Sequence, residues 1–511
     1  MPHAFQPLSG AVPAAYARVD AAAWSEAAVR ARESGCRLVA LWGTDHRERD
    51  GAYSILAAYA VPQGLCVVEL PIDAARAAYP DLSGIFPAAS RQQRAARDLL
   101  GLVPENGGVD VRPWLRHGAW GEDEFPLRRD FDGAARRETA GGPYPFVRVE
   151  GDGVHEIAVG PIHAGTIEPG HFRFSVVGEK VLRLEGRLGY THKGIDKRFE
   201  DFAVADGYRL AGRVSGDSTV AYAWAYAQAA ESALAVLAPP RARWLRSLML
   251  ERERVANHLG DLGALGNDGG FGFALAQFMR LKEDWLRASA AAFGHRFMMD
   301  RIVPGGVEAD PDRARLEGLA AQGRAVQEEV HGLRRIFDEH SGLQDRFLTT
   351  GRVVPDLARA LGLTGLAGRA SGQPHDLRVD HPAEPYGVLR VKKVVHQAGD
   401  VAARVTSRFE EIDESMRLLA ALVEGMPAGE VRVELPEARD GAFGVGWVEG
   451  WRGAVFVALE VGEGGRIGRC HAHDASWENW PLIEHAVMGN IVADFPLINK
   501  SFNLSYSGPD C

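Results

Sequence analysis

Cysteine is scarce in this chain: 511 residues carry four, at Cys36, Cys66, Cys470 and Cys511, and no two of them form a C-x-x-C pair. That excludes a disulfide scaffold and removes the usual spacing for an iron–sulfur cluster or a structural zinc, so buried or idle thiols are expected. An excess of basic residues is missing too. The formal net charge is −10, which leaves no broad positive surface for a nucleic-acid backbone. No apolar run reaches the roughly 18 residues of a membrane-spanning helix. The opening MPHAFQPLSGAVPAAYARVD lacks a basic segment followed by an apolar one, so a cytoplasmic chain is expected. Nucleotide and hydrolase signatures fail as well: G-x-G-x-x-G, G-x-x-x-x-G-K-[ST], H-E-x-x-H and G-x-S-x-G do not occur.

What is present is a globular composition, 46% hydrophobic and 25% charged, long enough for more than one core. RLVALWGTD, AYSILAAYAV and GLCVVELPI predict three strands between about Arg37 and Val68, and SRQQRAARDLLGL predicts a helix closing at Gly101. The stretch from Asp132 to Pro145 is small, polar and rich in Gly and Pro, as a linker is. Beyond it, GHFRFSVVGEKVLRLEG predicts a hairpin turning at Gly178-Glu179. Long helices are predicted in STVAYAWAYAQAAESALAVLA, RARWLRSLMLERERVANHLGDLGAL and GDVAARVTSRFEEIDESMRLLAALVEGM. VRVELPEA, FGVGWVEGW and GAVFVALEV return to strand alternation near the end. The fold class is therefore α+β: an α/β sandwich-like domain over 1–135, a linker over 136–150, and a mainly helical domain with small antiparallel sheets over 151–511.

The nearest approach to a metal-ligand cluster is Cys470-His471-Ala472-His473-Asp474. On a strand the two histidines share one face and Cys470 takes the other, and two ligands rarely suffice, so no metal is expected there.

Ordered motifs run along nearly the whole chain. Asp98-Leu99-Leu100-Gly101-Leu102 is followed by Phe125-Pro126-Leu127-Arg128-Arg129-Asp130-Phe131; later come GPIHAGTIEPGHFRF (Gly160 to Phe174) and GYTHKGIDKRFE (Gly189 to Glu200). ERERVANHLGDLGALGND (Glu251 to Asp268), Pro304-Gly305-Gly306-Val307, Arg369-Ala370-Ser371-Gly372 with Asp376 and Arg378, Pro385-Tyr386, and Gly399-Asp400 with Arg404 complete the series. In type and order these resemble the complex I and group 4 [NiFe]-hydrogenase superfamily. The likeness is to large subunits of the formate hydrogenlyase and hydrogenase-4 type, where a domain like the small hydrophilic complex I subunit is fused ahead of one like the quinone-site subunit.

The resemblance implies a nickel–iron centre on four thiolates, two from R-V-C-G-x-C and two from D-P-C-x-x-C, because soft sulfur suits these metals. Here the first segment reads Arg213-Val214-Ser215-Gly216-Asp217-Ser218. The second, matched on Asp494-Phe495-Pro496-Leu497-Ile498-Asn499, places Pro496 and Asn499 at the thiolate positions. Serine hydroxyls are hard and stay protonated at neutral pH, so the implied chain binds no cofactor of its own and is not an active hydrogenase. The complex I relatives hold a quinone with a histidine of the GPxH segment and a tyrosine ahead of the Ala-rich helix. His163 matches the histidine, whereas the tyrosine's place falls on or near Gly216 and the nearest tyrosine is Tyr222. Glu168 matches a glutamate that leads protons toward the membrane arm in related hydrogenases.

His163, Glu168 and His192 are thus the candidate catalytic or proton-path residues, with His171, Arg213, Ser215, Ser218, Tyr222, Asp494 and Asn499 lining the same cavity. Their plain alternative is polar side chains bonding loop backbone, and Ser215 and Ser218 equally suit capping of the following helix. The implied function is a subunit of a membrane-attached oxidoreductase on the inner face of the cell membrane. It would pass electrons to a quinone-like acceptor, coupled to proton or ion translocation. The implied partners are an iron–sulfur small subunit that carries the cluster, a ferredoxin-like subunit and membrane-arm subunits, and no nucleic acid. The alternative is a non-redox scaffold or coupling subunit of such a complex.

Overall fold

The apolar runs of the first part close into one sheet. The computed structural model describes residues 5–108, 110–118, 120–135, 142–163, 165 and 167–511. Its first elements are β1 (Gln6–Leu8), β2 (Ala14–Arg18), α1 (Ala21–Glu33), β3 (Arg37–His46), β4 (Ala52–Val61), β5 (Gly64–Asp73) and α2 (Ala89–Leu100). The strands order as β1-β2-β5-β4-β3, with β2 and β5 parallel and the other pairs antiparallel. Asp20 caps α1 through Ala23 N at 2.9 Å, and Gly101 ends α2 in the left-handed conformation at φ 77°.

Both faces of this sheet are buried. Along β4, Tyr53, Ile55, Ala57 and Tyr59 join a core with Trp24, Ala28 and Leu99 of the two helices. Leu56 and Ala58, at the alternate positions, pack instead on Val445, Trp447, Phe456 and Ala458 of the second part of the chain. A bulge in β3 between Leu38 and Ala40 lets Val39 and Ala40 both enter that second interface.

Residues 136–141 of the expected linker lie outside the described residues. Just after them, Tyr144 accepts a hydrogen bond from Arg94 at 2.7 Å and Val147 N donates to Glu185 at 3.0 Å, so the connection is fastened to both parts. The hairpin follows as β6 (Val154–Val159), β7 (His171–Val177) and β8 (Lys180–Arg187), three antiparallel strands in the order β8-β7-β6.

The helical body comprises α3 (Thr219–Ala233), α4 (Pro240–Asp268), α5 (Gly272–Phe293), α6 (Arg313–Glu339) and α7 (Val401–Glu424). A second antiparallel sheet, β9 (Phe443–Glu449), β10 (Ala454–Val461) and β11 (Ile467–Asp474), is followed by α8 (Ser476–Ala486) and α9 (Phe495–Phe502). Strand β9 crosses α3 backbone to backbone. A methyl group at Gly444 or Gly446 would overlap the carbonyl oxygens of Ala229 and Ala225, so the alanine-rich helix and the glycine-bearing strand require each other.

One strand expectation is corrected. VRVELPEA forms only an isolated bridge, Arg432 to Gly306, with Val307 N donating to Val431 O and Val433 N to Gly305 O, each at 3.0 Å. The segment meets the Pro304–Val307 turn in a ladder one residue pair long, so its alternation never becomes a strand of the sheet. Among the described residues no helix is long and apolar enough to cross a membrane.

Candidate functional site

Four loops and a C-terminal segment meet beside the start of α3. Ser215 is extended, and Gly216–Ser218 turns the chain into the helix. The helix is not capped by Ser218. Its first free N–H groups, Val220 and Ala221, donate at 2.6 and 3.2 Å to the carboxylate of Glu253 on α4. The Ser218 hydroxyl is drawn into another set of contacts: it donates to Asp217 at 3.3 Å and accepts from Trp451 Nε1 and Arg452 Nη1, both at 3.1 Å. Arg452, in the β9–β10 turn, also pairs with Asp217 at 2.7 Å.

Residues 504–511 stitch the loops together. Ser505 Oγ lies 3.0 Å from Ser215 Oγ and 3.3 Å from Ser507 Oγ, and it accepts from Gly508 N at 2.8 Å. Ser507 N donates to Glu168 at 3.2 Å. The Asp510 carboxylate takes Gly189 N at 2.9 Å, Thr191 N at 3.1 Å and the Thr191 hydroxyl at 2.6 Å, while its backbone carbonyl lies 3.0 Å from His192 Nδ1. Glu168, His192 and Ser215 are thereby joined through one segment, Ser218 is tied to Ser215 through Asp217, and buried Tyr222 faces Asp474 and Cys511 from α3.

The other expected residues stand apart from this knot. Arg213 is at the surface, paired with Asp300 at 2.7 Å. His171 bonds Gly160 O at 2.9 Å and packs against Phe146. His163 accepts from Gly165 N at 3.1 Å through Nδ1, and its buried Nε2 has no partner among the described residues. Asn499 lies one layer back, donating to the Tyr506 hydroxyl at 3.0 Å, and Asp494 pairs with Arg346 at 3.5 Å.

These placements correct the register of the last motif. Ser505, 3.0 Å from Ser215, belongs at the first thiolate place of D-P-C-x-x-C, which makes the segment Asn503-Leu504-Ser505-Tyr506-Ser507-Gly508 and puts Gly508 at the second. Asp494 reproduces the acid of the motif, and matching on it places the motif upstream. Asp217, Glu253, Arg452, Ser505 and Asp510 were not singled out from the sequence. Asp217 and Glu253 are legible as acids within quoted motifs, whereas nothing local marks Arg452 or Asp510.

Burial sets the proton affinities here. It pushes Glu253 up to about 8 despite the two N–H donors, and Asp510 up to about 6 against the pull of Thr191. Asp474 rises for the same reason. Asp217 is the exception: burial would raise it, but Arg452 outweighs that and holds it below the usual carboxylate range. Burial lowers His192 and raises the Tyr222 phenol, with Asp474 and Cys511 adding to the latter. The site thus holds carboxyl groups whose proton affinities lie near neutrality next to one locked as an anion.

Residues 17–137 match the family described as "Respiratory-chain NADH dehydrogenase, 30 Kd subunit", and residues 268–440 match "Respiratory-chain NADH dehydrogenase, 49 Kd subunit". Formate hydrogenlyase subunit 5 of Escherichia coli is 30% identical over 94% of this chain and 85% of its own length. The chain belongs to the family of fused complex I and group 4 hydrogenase large subunits. Another relative in this family is hydrogenase-4 component G of Escherichia coli, 31% identical over 93% of the chain and 83% of its own length. The C/D subunit of the NADH-quinone oxidoreductase of Phocaeicola vulgatus is 30% identical over 75% of the chain and 77% of its own length. By name, each is a subunit or component of a larger assembly. A chain from the structure of the membrane-bound sulfane sulfur reductase, an archaeal respiratory membrane complex, shares the fold at a TM-score of 0.66 and 23% identity, covering 70% of this chain and 98% of its own.

Within this family the test for a nickel–iron centre is the donor set. Ser215, Ser218, Ser505 and Gly508 offer three hydroxyls and no side-chain ligand at the fourth place, and Arg452 puts a cation against Ser218. These residues do not fit two soft-ligated metals. The one thiol nearby, Cys511, donates to Gly508 O at 3.3 Å, and among the described residues no three His, Cys, Asp or Glu gather in a way that could hold a metal ion.

Proposed function

We propose that this chain is the coupling subunit of a membrane-attached oxidoreductase of the complex I and hydrogenase type, in which electrons reach a quinone-like acceptor and protons move through the knot of loops around residues 504–511. The observation that carries this reading is the set of carboxyl groups that burial raises around the knot, Asp510 to about 6, Asp474, and Glu253 to about 8, with exposed Glu168 bonded to the same segment through Ser507 N. Groups with affinities close to the working pH exchange protons at the least cost. His163 Nε2, buried and with no hydrogen-bond partner among the described residues, is the ring nitrogen left to bond the carbonyl of a quinone-like acceptor. Electrons arrive from a cluster on an iron–sulfur partner, with a ferredoxin-like subunit and membrane-arm subunits completing a complex on the inner face of the membrane.

A second reading, a scaffold with no redox role, draws on the Arg452–Asp217 pair, which lies against Ser218 and ties the β9–β10 turn to the start of α3. The test is Glu168→Gln in the purified complex, because the amide keeps the shape and cannot carry a proton. Loss of coupled turnover by about 100-fold with assembly intact is expected. Unchanged turnover overturns the proton-path reading in favour of the scaffold.

A further inference from the structure

Along the seam where the first sheet meets the second part of the chain there is a cavity of about 540 Å³, distinct from the knot around Ser505. Its walls are mostly apolar: Leu38 and Phe86 come from the first part, Leu363 and Trp447 from the second. Within them sits Arg37, whose guanidinium makes one hydrogen bond, to Thr364 Oγ1 at 3.3 Å, and is paired with no carboxylate among the described residues. The acids that act on it do so only through space, and each is already engaged. Glu478 accepts from His473 at 2.7 Å and Gln92 at 3.1 Å, Glu449 pairs with Arg369 at 2.7 Å, and Asp380 is held by Lys393. A second guanidinium, Arg32, lies at the lining with its Cζ 5.9 Å from the Phe86 ring centroid.

An arginine without a carboxylate in an apolar cleft is an oxyanion site lacking its anion: the planar fork presents parallel donors, and the low-polarity walls strengthen their hold. The volume falls in the range of small-molecule sites, which are apolar with a few convergent polar groups. We propose that this seam cavity binds a small amphipathic organic anion, with its oxyanion head on Arg37 and Thr364 and its apolar or aromatic body against Phe86, Leu363 and Trp447. Because both halves of the chain supply the walls, such a ligand clamps the seam.

The probe is anilinonaphthalene sulfonate, an aromatic sulfonate, titrated by fluorescence into the full chain or the complex containing it. Single-site binding is expected, weakened about ten-fold or more by Arg37→Gln and less by Arg37→Lys. The uncharged phenylnaphthylamine should bind wild type and Arg37→Gln equally. Cys36 also lines the cavity, so saturating sulfonate should slow its labelling by maleimide several-fold in the wild-type chain, read by peptide mass. That measurement needs no variant to fold. Equal sulfonate affinity in a folded Arg37→Gln chain, or Cys36 labelling indifferent to the sulfonate, overturns the proposal.

Discussion

Two buried polar clusters lie side by side along α4, and they solve opposite problems. In the first, Arg254, Arg369 and Arg378 meet Glu251, Asp376, Glu411 and Glu449. Glu411 alone receives Arg369 at 2.6 Å, His258 at 3.0 Å and Arg254 at 3.6 Å. Burial would raise these acids, but the guanidiniums hold Glu251, Asp376 and Glu411 below the usual range; only Glu449, which shares Arg369 with Glu411, is pushed up. In the second cluster Arg452 serves Asp217, while burial drives Glu253 and Asp510 toward protonation. Compensated charge fixes the packing of α4 against α7 and β9. Uncompensated carboxyls leave protons that can move. Glu251 and Glu253, two residues apart on one helix, fall on opposite sides of this division.

The largest expected effect breaks the first cluster. Glu411→Ala leaves Arg369, Arg254 and His258 facing one another without their anion and should cost about 3–5 kcal/mol, measured by denaturant unfolding of the chain in its complex. If Glu253→Ala costs as much, the two clusters are equally charged and the contrast fails.

The next effect sharpens the second cluster through pH. Glu253 has an ordinary value of 4.5 and is raised to about 8 in the fold. The folded state therefore binds more protons than the unfolded one between those values, and stability present below 4.5 is lost as pH rises through 8. Glu253→Gln should remove this decline and leave the variant more stable than wild type above pH 8, as read by melting temperature across the pH range. A decline that persists in the variant assigns the proton elsewhere.

The smallest effect is a control on both. Arg213→Ala removes an ion pair with Asp300 at the surface, where Arg213 is 44% exposed, and should shift stability by about 0.5 kcal/mol or less, vanishing at high salt.

Much of the fold was legible because its signals are local. Runs rich in Val, Ile, Leu and Tyr between polar or Gly/Pro breaks marked β3, β4 and β5, alternation marked the β7–β8 hairpin, and Gly101 stopped α2 where a left-handed residue was needed. The site was legible only in part. Ser215 and Glu168 sit in motifs that announce themselves, but Ser505 meets Ser215 across a separation of 290 residues. An upstream acid, Asp494, offers a better-looking match to the same motif. Arg452 carries no signal in its neighbours, because its role comes from the turn that aims it at Asp217. VRVELPEA alternates as a strand does and fails to become one because the turn it meets pairs with it at a single bridge, which no pattern within the segment reveals.

The face of the first sheet that packs on β9 and β10 has a consequence in time. Trp42, Leu56 and Val67 are made early, whereas Val445, Trp447 and Phe456, which cover them, follow about 380 residues later. At about 5–20 residues per second this is tens of seconds during which an aromatic and aliphatic face is finished and uncovered beside the ribosome. Fusing the two domains into one chain fixes their stoichiometry, and it obliges the first to wait, in need of shielding, for the second to be made.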